Sequence, residues 1–300
     1  MAKLVDALGL GPNGATLESS SLSVRTEFMF NFLHYFSPQP ILFSFGPLTV
    51  YWYGFFVVLG MIVALSLTFH LAKYYHLRRE TIFDLSFWLI IGGLLGARLY
   101  DIGLNLPYYF QHPWQTLAIW KGGLAIHGGI IAGLLIIYFF SRRQKINFWK
   151  LSALIVPGLA FAQAIGRWGN YFNQELFGRP TNLPWGIPVN PLNRPAEYIA
   201  NRFFHPTFLY ESLGCLAIGS ILLAANVYLI RRQKLNERRY VWLTALYMIL
   251  YSILRFSLEF IRIDATPSWL GLRWPQIISL AIIIFSVAII FNPHVFYKKN

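Results

Sequence analysis

Seven stretches of this chain stay apolar for long enough to cross a hydrocarbon layer, which takes about 20 residues of helix. They are residues 50–72, 83–103, 123–140, 151–170, 207–230, 240–261 and 275–294. The pattern predicts an all-α polytopic membrane protein with seven transmembrane helices joined by short polar connections. One connection is different: residues 171–206 form a long insert rich in proline, asparagine and aromatic residues. Ahead of the first span, residues 30–48 are aromatic and hold Pro38, Pro40 and Pro47, which rule out a long helix and suit a segment lying at the membrane surface. Residues 1–28 are polar, small and patternless, without the basic start and apolar core of a signal peptide. They read as a disordered extension or a start-site artefact, with Met29 a plausible native start and residues 29–300 a single transmembrane domain.

Composition agrees with the pattern and charge orients it. Of 300 residues, 56% are hydrophobic and only 12% charged, too few for a wet globular surface. The net charge of +13 could indicate nucleic acid, but its distribution excludes that reading. Fourteen of the 25 basic residues fall in four short clusters: Lys73, Arg78 and Arg79; Arg142, Arg143, Lys145 and Lys150; Arg231, Arg232, Lys234, Arg238 and Arg239; Lys298 and Lys299. These follow spans one, three, five and seven, so they share one side, and the cytoplasm is the side that takes them. The amino terminus is then outside, the carboxyl terminus cytoplasmic, and the insert periplasmic or extracellular. The one cysteine, Cys215, lies mid-span as a small packing residue and excludes a disulfide or a multi-cysteine metal site.

Several polar residues sit inside spans, where they are costly without a role. Arg98, Arg167 and Arg255 each lie about fifteen residues up their spans, roughly 22 Å into a layer about 30 Å thick. His127 enters span three from the outside and sits about one turn down, near the same level. Three arginines and a histidine at one depth resemble the walls of a site. In span six, Tyr251, Arg255, Glu259 and Arg262 are spaced to share one helix face, so Glu259 can pair with Arg255 or Arg262. Blander readings stand beside these. Arg262 can snorkel to water, His127 can be an interhelical hydrogen bonder, and Arg98 with Asp101 can be a structural pair. Gly129 with Gly133, and Gly92 with Gly96, form small-residue pairs that permit close helix approach. Tyr51, Trp52 and Tyr53 fit an aromatic belt, although the Tyr53 hydroxyl can also point inward, and Glu211 is a poor choice for a lipid-facing position.

The densest polar stretch follows span four. Residues 166–178 read Gly-Arg-Trp-Gly-Asn-Tyr-Phe-Asn-Gln-Glu-Leu-Phe-Gly and bring Arg167, Asn170, Asn173 and Glu175 together. Guanidinium forks match phosphate bidentately. A phosphate reachable from within the bilayer is most simply a phospholipid head group, with Asn170 and Asn173 able to donate to its glycerol or ester oxygens. Residue chemistry alone leads to an outer-leaflet site for anionic lipid, and leaves open a membrane transporter or a non-catalytic lipid-binding protein.

This stretch resembles the signature of bacterial prolipoprotein diacylglyceryl transferases, Gly-Arg-x-(Gly/Ala)-Asn-Phe-x-Asn-x-Glu-x-x-Gly, departing only where Tyr171 replaces phenylalanine. Tyr-Trp-Tyr-Gly at 51–54, Gly-Gly-Leu-Ala-Ile-His-Gly-Gly at 122–129, His-Pro-x-x-Leu-Tyr-Glu at 205–211 and Arg-x-x-x-Glu-x-x-Arg at 255–262 look like further family segments in family order. The resemblance implies transfer of the diacylglyceryl group of phosphatidylglycerol to the lipobox cysteine of a secreted prolipoprotein, with glycerol phosphate leaving. It implies a bacterial inner-membrane enzyme with its site towards the outer leaflet, acting without cofactor or metal. Phosphatidylglycerol, prolipoprotein signal peptides and membrane lipids are its expected partners, and nucleic acid is not. On this basis His127, Arg255, Glu175 and Tyr53 form the expected catalytic set. Arg167, Asn170, Asn173, Gly178 and Arg262 bind phosphatidylglycerol, and Glu259, Tyr251, Glu211 and Arg98 support them.

Overall fold

The computed structural model describes residues 32–46, 48–119 and 122–291. The 1–28 segment and the Lys298–Lys299 cluster lie outside the described residues. A hairpin of β1 (Ile41–Phe45) and β2 (Leu48–Tyr51) leads into α1 (Trp52–Ala72). Next come α2 (Arg79–Leu104), the short α3 (Leu106–Gln111), α4 (Ile126–Gln144) and α5 (Phe148–Phe172). The insert contributes β3 (Ile187–Pro188) and β4 (Phe203–Phe204), an antiparallel pair. Then follow α6 (Thr207–Arg231), α7 (Glu237–Leu258), a minimal hairpin of β5 (Ser268–Trp269) and β6 (Leu272–Arg273), and α8 (Trp274–Phe291).

Among the described residues, seven helices are long and apolar enough to span a membrane: α1, α2, α4, α5, α6, α7 and α8. Their centres fall where the hydrophobic runs predict. Four of them start earlier than predicted: α2 at Arg79, α5 at Phe148, α7 at Glu237 and α8 at Trp274. For α2 and α7 the added turns carry charged residues, as helix continuing past the hydrocarbon does. Asn147 and Asn236 close the starts of α5 and α7, their side chains accepting from Trp149 N and Arg239 N.

Helix α5 is the hub. It packs against α1, α4, α6 and α7, and 56% of its most apolar window is buried against at most 33% in any other span. Lipid tails are as apolar as leucine, so close approach of backbones must supply the attraction between spans. Small residues on α1 and α5 permit it. A Cβ on Gly60 would meet Ala162 O at 3.0 Å, and one on Gly158 would meet Ala64 O at 2.8 Å. The two helices cross antiparallel along Gly60–Ala162 and Ala64–Gly158. Continuing two turns along this seam brings Tyr53 onto Gly169.

A second close crossing joins α2 to α4 at the predicted Gly92 and Gly96, where an added Cβ on Gly92 would meet the Ile136 side chain, and on α4 it is displaced from the predicted pair. Gly96 meets Gly128 O and Ala132, whereas Gly129 and Gly133 have ordinary room. The contact face of α4 is one residue earlier because the Ala125 N–H donates to Ala97 O at 3.1 Å and fixes the entry of the helix. The insert folds over the ends of α5 and α6. Tyr171, Phe177, Ile187, Val189, Phe204 and Phe208 pack there into a small aromatic core.

The predicted four-residue stripe on span six is not a single helix face. Helix α7 stops at Leu258, and Arg262 lies beyond it, in an antiparallel bridge with Gly178. Arg262 consequently pairs with Asp264, and not with Glu259.

Candidate active site

The end of α5 carries the first polar group. Arg167 Nη2 lies 2.5 Å from Glu211 Oε1, and its Nη1 donates to Asn170 Oδ1 at 3.3 Å. Asn170 Nδ2 in turn donates to Glu175 Oε1 at 2.7 Å, with Asn173 Nδ2 3.4 Å from the same oxygen. Both asparagines therefore hold Glu175 in this structure. Glu211, nearly fully buried, also accepts from the Tyr251 hydroxyl at 3.2 Å. Taking a carboxylate and a guanidinium out of water is costly, and only close pairing with further hydrogen bonds makes it tolerable.

The loop that returns Glu175 towards Asn170 is strained. Gln174 and Leu176, on either side of it, have φ of +52° and +57°, a region non-glycine residues rarely occupy. The surroundings hold both. Gln174 Nε2 donates to Pro38 O at 2.8 Å and its Oε1 accepts from Asn190 N at 2.6 Å, while Leu176 O accepts from the Thr207 hydroxyl. Strain of this kind persists only where neighbours over-determine it. The loop ends at Gly178, whose N–H donates to His205 O at 2.9 Å.

The second polar group is built on the end of α7. Glu259, its side chain fully buried, pairs with Arg255 through one oxygen and with Arg273 Nε at 3.1 Å through the other. Arg273 also donates to the carbonyl oxygens of Glu259 at 3.2 Å and Arg262 at 2.9 Å, to that of Asp264, and to the Thr266 hydroxyl at 2.9 Å. Arg262 Nε donates to Asp264 Oδ1 at 2.7 Å. Burial alone would push the Asp264 carboxyl up. The Arg262 hydrogen bond and charge, with Arg273 and Thr266, win and hold it below the usual carboxylate value.

Tyr251 joins the two groups, since its hydroxyl lies within electrostatic reach of both Arg167 and Arg255. Tyr53 joins the first from the other side. Its ring lies on the Gly169 backbone and its hydroxyl feels the charges of Glu175 and Arg167.

Arg98 and His127 stand apart. Arg98 turns to the loop ahead of α4, donating to Thr116 O at 3.0 Å, Gly122 O at 2.7 Å, Gly123 O at 2.8 Å and to Gln115 O, with Asp101 Oδ2 3.9 Å away. It is a clamp on backbone carbonyls, unlike the site wall its depth suggested. His127 is exposed on the first turn of α4. Its ring lies 6.0 Å from that of Tyr100, and among the described residues it makes no hydrogen bond and touches neither arginine group. Counting from Arg79, Phe148 and Glu237, the residues Arg98, Arg167 and Arg255 lie 18 or 19 residues up their helices.

The roomier cavities, about 380 and 620 Å³, lie at the opposite end of the bundle beside Arg238 and Arg239 and beside Arg231 and Arg232. Next to Asn170 and Glu175 there is about 10 Å³, room for one water. Chemistry and not volume therefore marks the site.

Comparison with known proteins matches residues 40–292 to the family model described as prolipoprotein diacylglyceryl transferase. Among similar curated proteins, a phosphatidylglycerol–prolipoprotein diacylglyceryl transferase of Acaryochloris marina is 42% identical over 81% of this chain and 86% of its own length. One of Synechococcus elongatus is 42% identical over 85% of this chain and 87% of its own length. One of Nostoc sp. is 40% identical over 84% and 88%.

Proposed function

This chain belongs to the prolipoprotein diacylglyceryl transferase family, and from that premise we propose that it moves the diacylglyceryl group of phosphatidylglycerol onto the lipobox cysteine of prolipoproteins, releasing glycerol phosphate. It is a multi-pass membrane transferase of lipoprotein biosynthesis. The cysteine sulfur bonds to the glyceryl carbon that carries the phosphate. The C–O bond breaks with its electron pair going to the phosphate oxygen, and the thiol proton passes to a base. No electron is gained or lost overall.

One observation carries this reading: Arg167 from α5 is paired with Glu211, which also accepts from Tyr251 of α7, one turn before the Arg255 that pairs with Glu259, so two guanidinium groups from separate helices lie around one tyrosine beside the signature loop. Negative charge grows on the leaving oxygen, and preorganised cations in a water-poor site are the largest source of stabilisation for such charge. Glu211 and Asn170 fix the plane of Arg167 by two of its nitrogens, which leaves further N–H groups of that fork for phosphoryl oxygens. Arg262, braced by Asp264, and the Gly178 backbone wall the same end. His127, with ring nitrogens unengaged by neighbours, is the candidate base. Glu175, held by the Asn170 and Asn173 amides, and Tyr53 complete the catalytic set. Tyr251, Glu211 and Glu259 position the cations, and Arg98 holds the loop that precedes His127.

The basic clusters at the far end of the bundle support an inner-membrane orientation with the amino terminus outside and the carboxyl terminus cytoplasmic. The site then faces the outer leaflet and the 171–206 insert is periplasmic. The deciding experiment incubates the purified protein with phosphatidylglycerol and a lipobox peptide and weighs the peptide. A gain of one diacylglyceryl group is expected. Bound lipid with an unchanged peptide would leave a non-catalytic lipid-binding protein.

A further inference from the structure

We propose that Arg273 is a positioning residue that divides the charge of Glu259, so that Arg255 meets the departing phosphate as a net cation. The inference rests on the transferase reading above. Arg167 is matched one to one by Glu211, and Asp264 holds Arg262 at 2.7 Å with Arg273 Nη2 more distant at 3.7 Å. Glu259 is shared more closely and is more deeply buried. One oxygen meets Arg255 and the other lies 3.1 Å from Arg273 Nε, so one carboxylate serves two guanidinium groups. Among the described residues Arg255, Arg262 and Arg273 together face only Glu259 and Asp264, so the linked groups carry a formal charge of about +1, and the Glu259 side chain is 0% exposed, which leaves its field unscreened by water.

Without Arg273, Glu259 would face Arg255 alone. A closed pair of that kind is neutral and offers little to an incoming anion. Arg273 reaches these groups from β6, immediately before α8, and is the means by which the last span enters the chemistry. Its remaining N–H groups bind the carbonyl oxygens of Glu259, Arg262 and Asp264. Arg273 thus has two separable effects, a charge on Glu259 and a clamp on the segment carrying Arg262. Charge survives substitution by lysine, and a forked clamp does not.

The test compares Arg273→Gln, Arg273→Lys and the double variant Glu259→Gln/Arg273→Gln in the peptide transfer assay, with melting temperature measured in parallel. Arg273→Gln should lose about tenfold or more in kcat/KM, mainly in kcat, because the missing charge matters most as the phosphate leaves. Arg273→Lys should keep most of kcat even if it melts earlier. The double variant should exceed Arg273→Gln, because the unopposed carboxylate is gone. The inference is overturned if Arg273→Lys is as slow as Arg273→Gln, if the double variant is slower still, or if Arg273→Gln turns over like the unaltered protein. An unaltered protein that transfers nothing sinks the transferase reading and this one with it. An active one with indifferent Arg273 variants sinks this one alone.

Discussion

One methyl group at Gly178 should silence transfer out of proportion to its size. A Cβ built there meets Ile261 Cγ2 at 2.7 Å, His205 Cβ at 2.8 Å and Thr207 Cγ2 at 3.0 Å. The two closest contacts must each open by about 0.6–0.7 Å to reach an ordinary separation of 3.4 Å. Neither wall can yield alone. The Gly178 N–H is bonded to His205 O and the Arg179 N–H to Ile261 O, both at 2.9 Å, so each displacement is passed along the backbone. It reaches Arg262 through the bridge on one side and Glu175, three residues upstream, on the other. Overpacking of this kind costs about 1–3 kcal/mol, a fall of several degrees in melting temperature. A catalytic group misplaced by close to 1 Å loses about 10²-fold in rate, so turnover should fall much further than stability. The assay is peptide mass gain at fixed phosphatidylglycerol, beside a thermal melt in detergent. Gly103→Ala, where a Cβ meets nothing within 4 Å, is the control and should be neutral in both. Unaltered turnover in Gly178→Ala would refute the claim that this contact sets the geometry of the site.

Arg167→Ala should abolish both phosphatidylglycerol binding and transfer, whereas His127→Gln should slow transfer and leave lipid binding intact. Equal loss of lipid binding in the two variants would remove the base assignment from His127. Arg98→Ala should lower the melting temperature markedly, since four backbone carbonyls lose their donor and each such loss costs about 1–3 kcal/mol where buried. Arg98→Lys should recover little of it, and a stable Arg98→Ala would show the clamp to be dispensable. Asp264, held below its usual 3.8, stabilises the fold at every pH above that value. The advantage of the unaltered protein over Asp264→Asn in a melt should stay constant above about pH 4 and shrink as pH falls through the folded value. An advantage that grew in acid would reverse the sign of the coupling.

The spans were legible because each is a long hydrophobic run, and the signature was legible because its polar residues are adjacent in sequence. What escaped is tertiary. Nothing local marks the end of α7 at Leu258, where Glu-Phe-Ile-Arg follows without glycine or proline. The helix stops there as the chain enters the bridge to Gly178, and the Glu259–Arg262 pairing expected of an unbroken helix is lost with it. Arg273 has the sequence context of an interfacial anchor, and only the folded hairpin brings it to Glu259. Gln174 and Leu176 carry no composition signal for a left-handed backbone, which their distant partners impose. The glycine register on α4 slipped by one residue because a backbone hydrogen bond to α2, invisible in the pattern, fixes the helix's rotation.

The antiparallel crossing of α1 and α5 makes the tyrosine at one end answerable to glycines in the middle of the bilayer. Bulk added at Gly158 or Gly60 pushes two rods apart along the seam that ends at Tyr53 and Gly169. A genetic screen for inactive alleles should therefore recover changes deep among the lipid tails, with no charge or hydroxyl altered. A smaller residue on the facing rod should not rescue them, because the atoms met are backbone, Ala64 O and Cα for Gly158 and Ala162 O and Cα for Gly60.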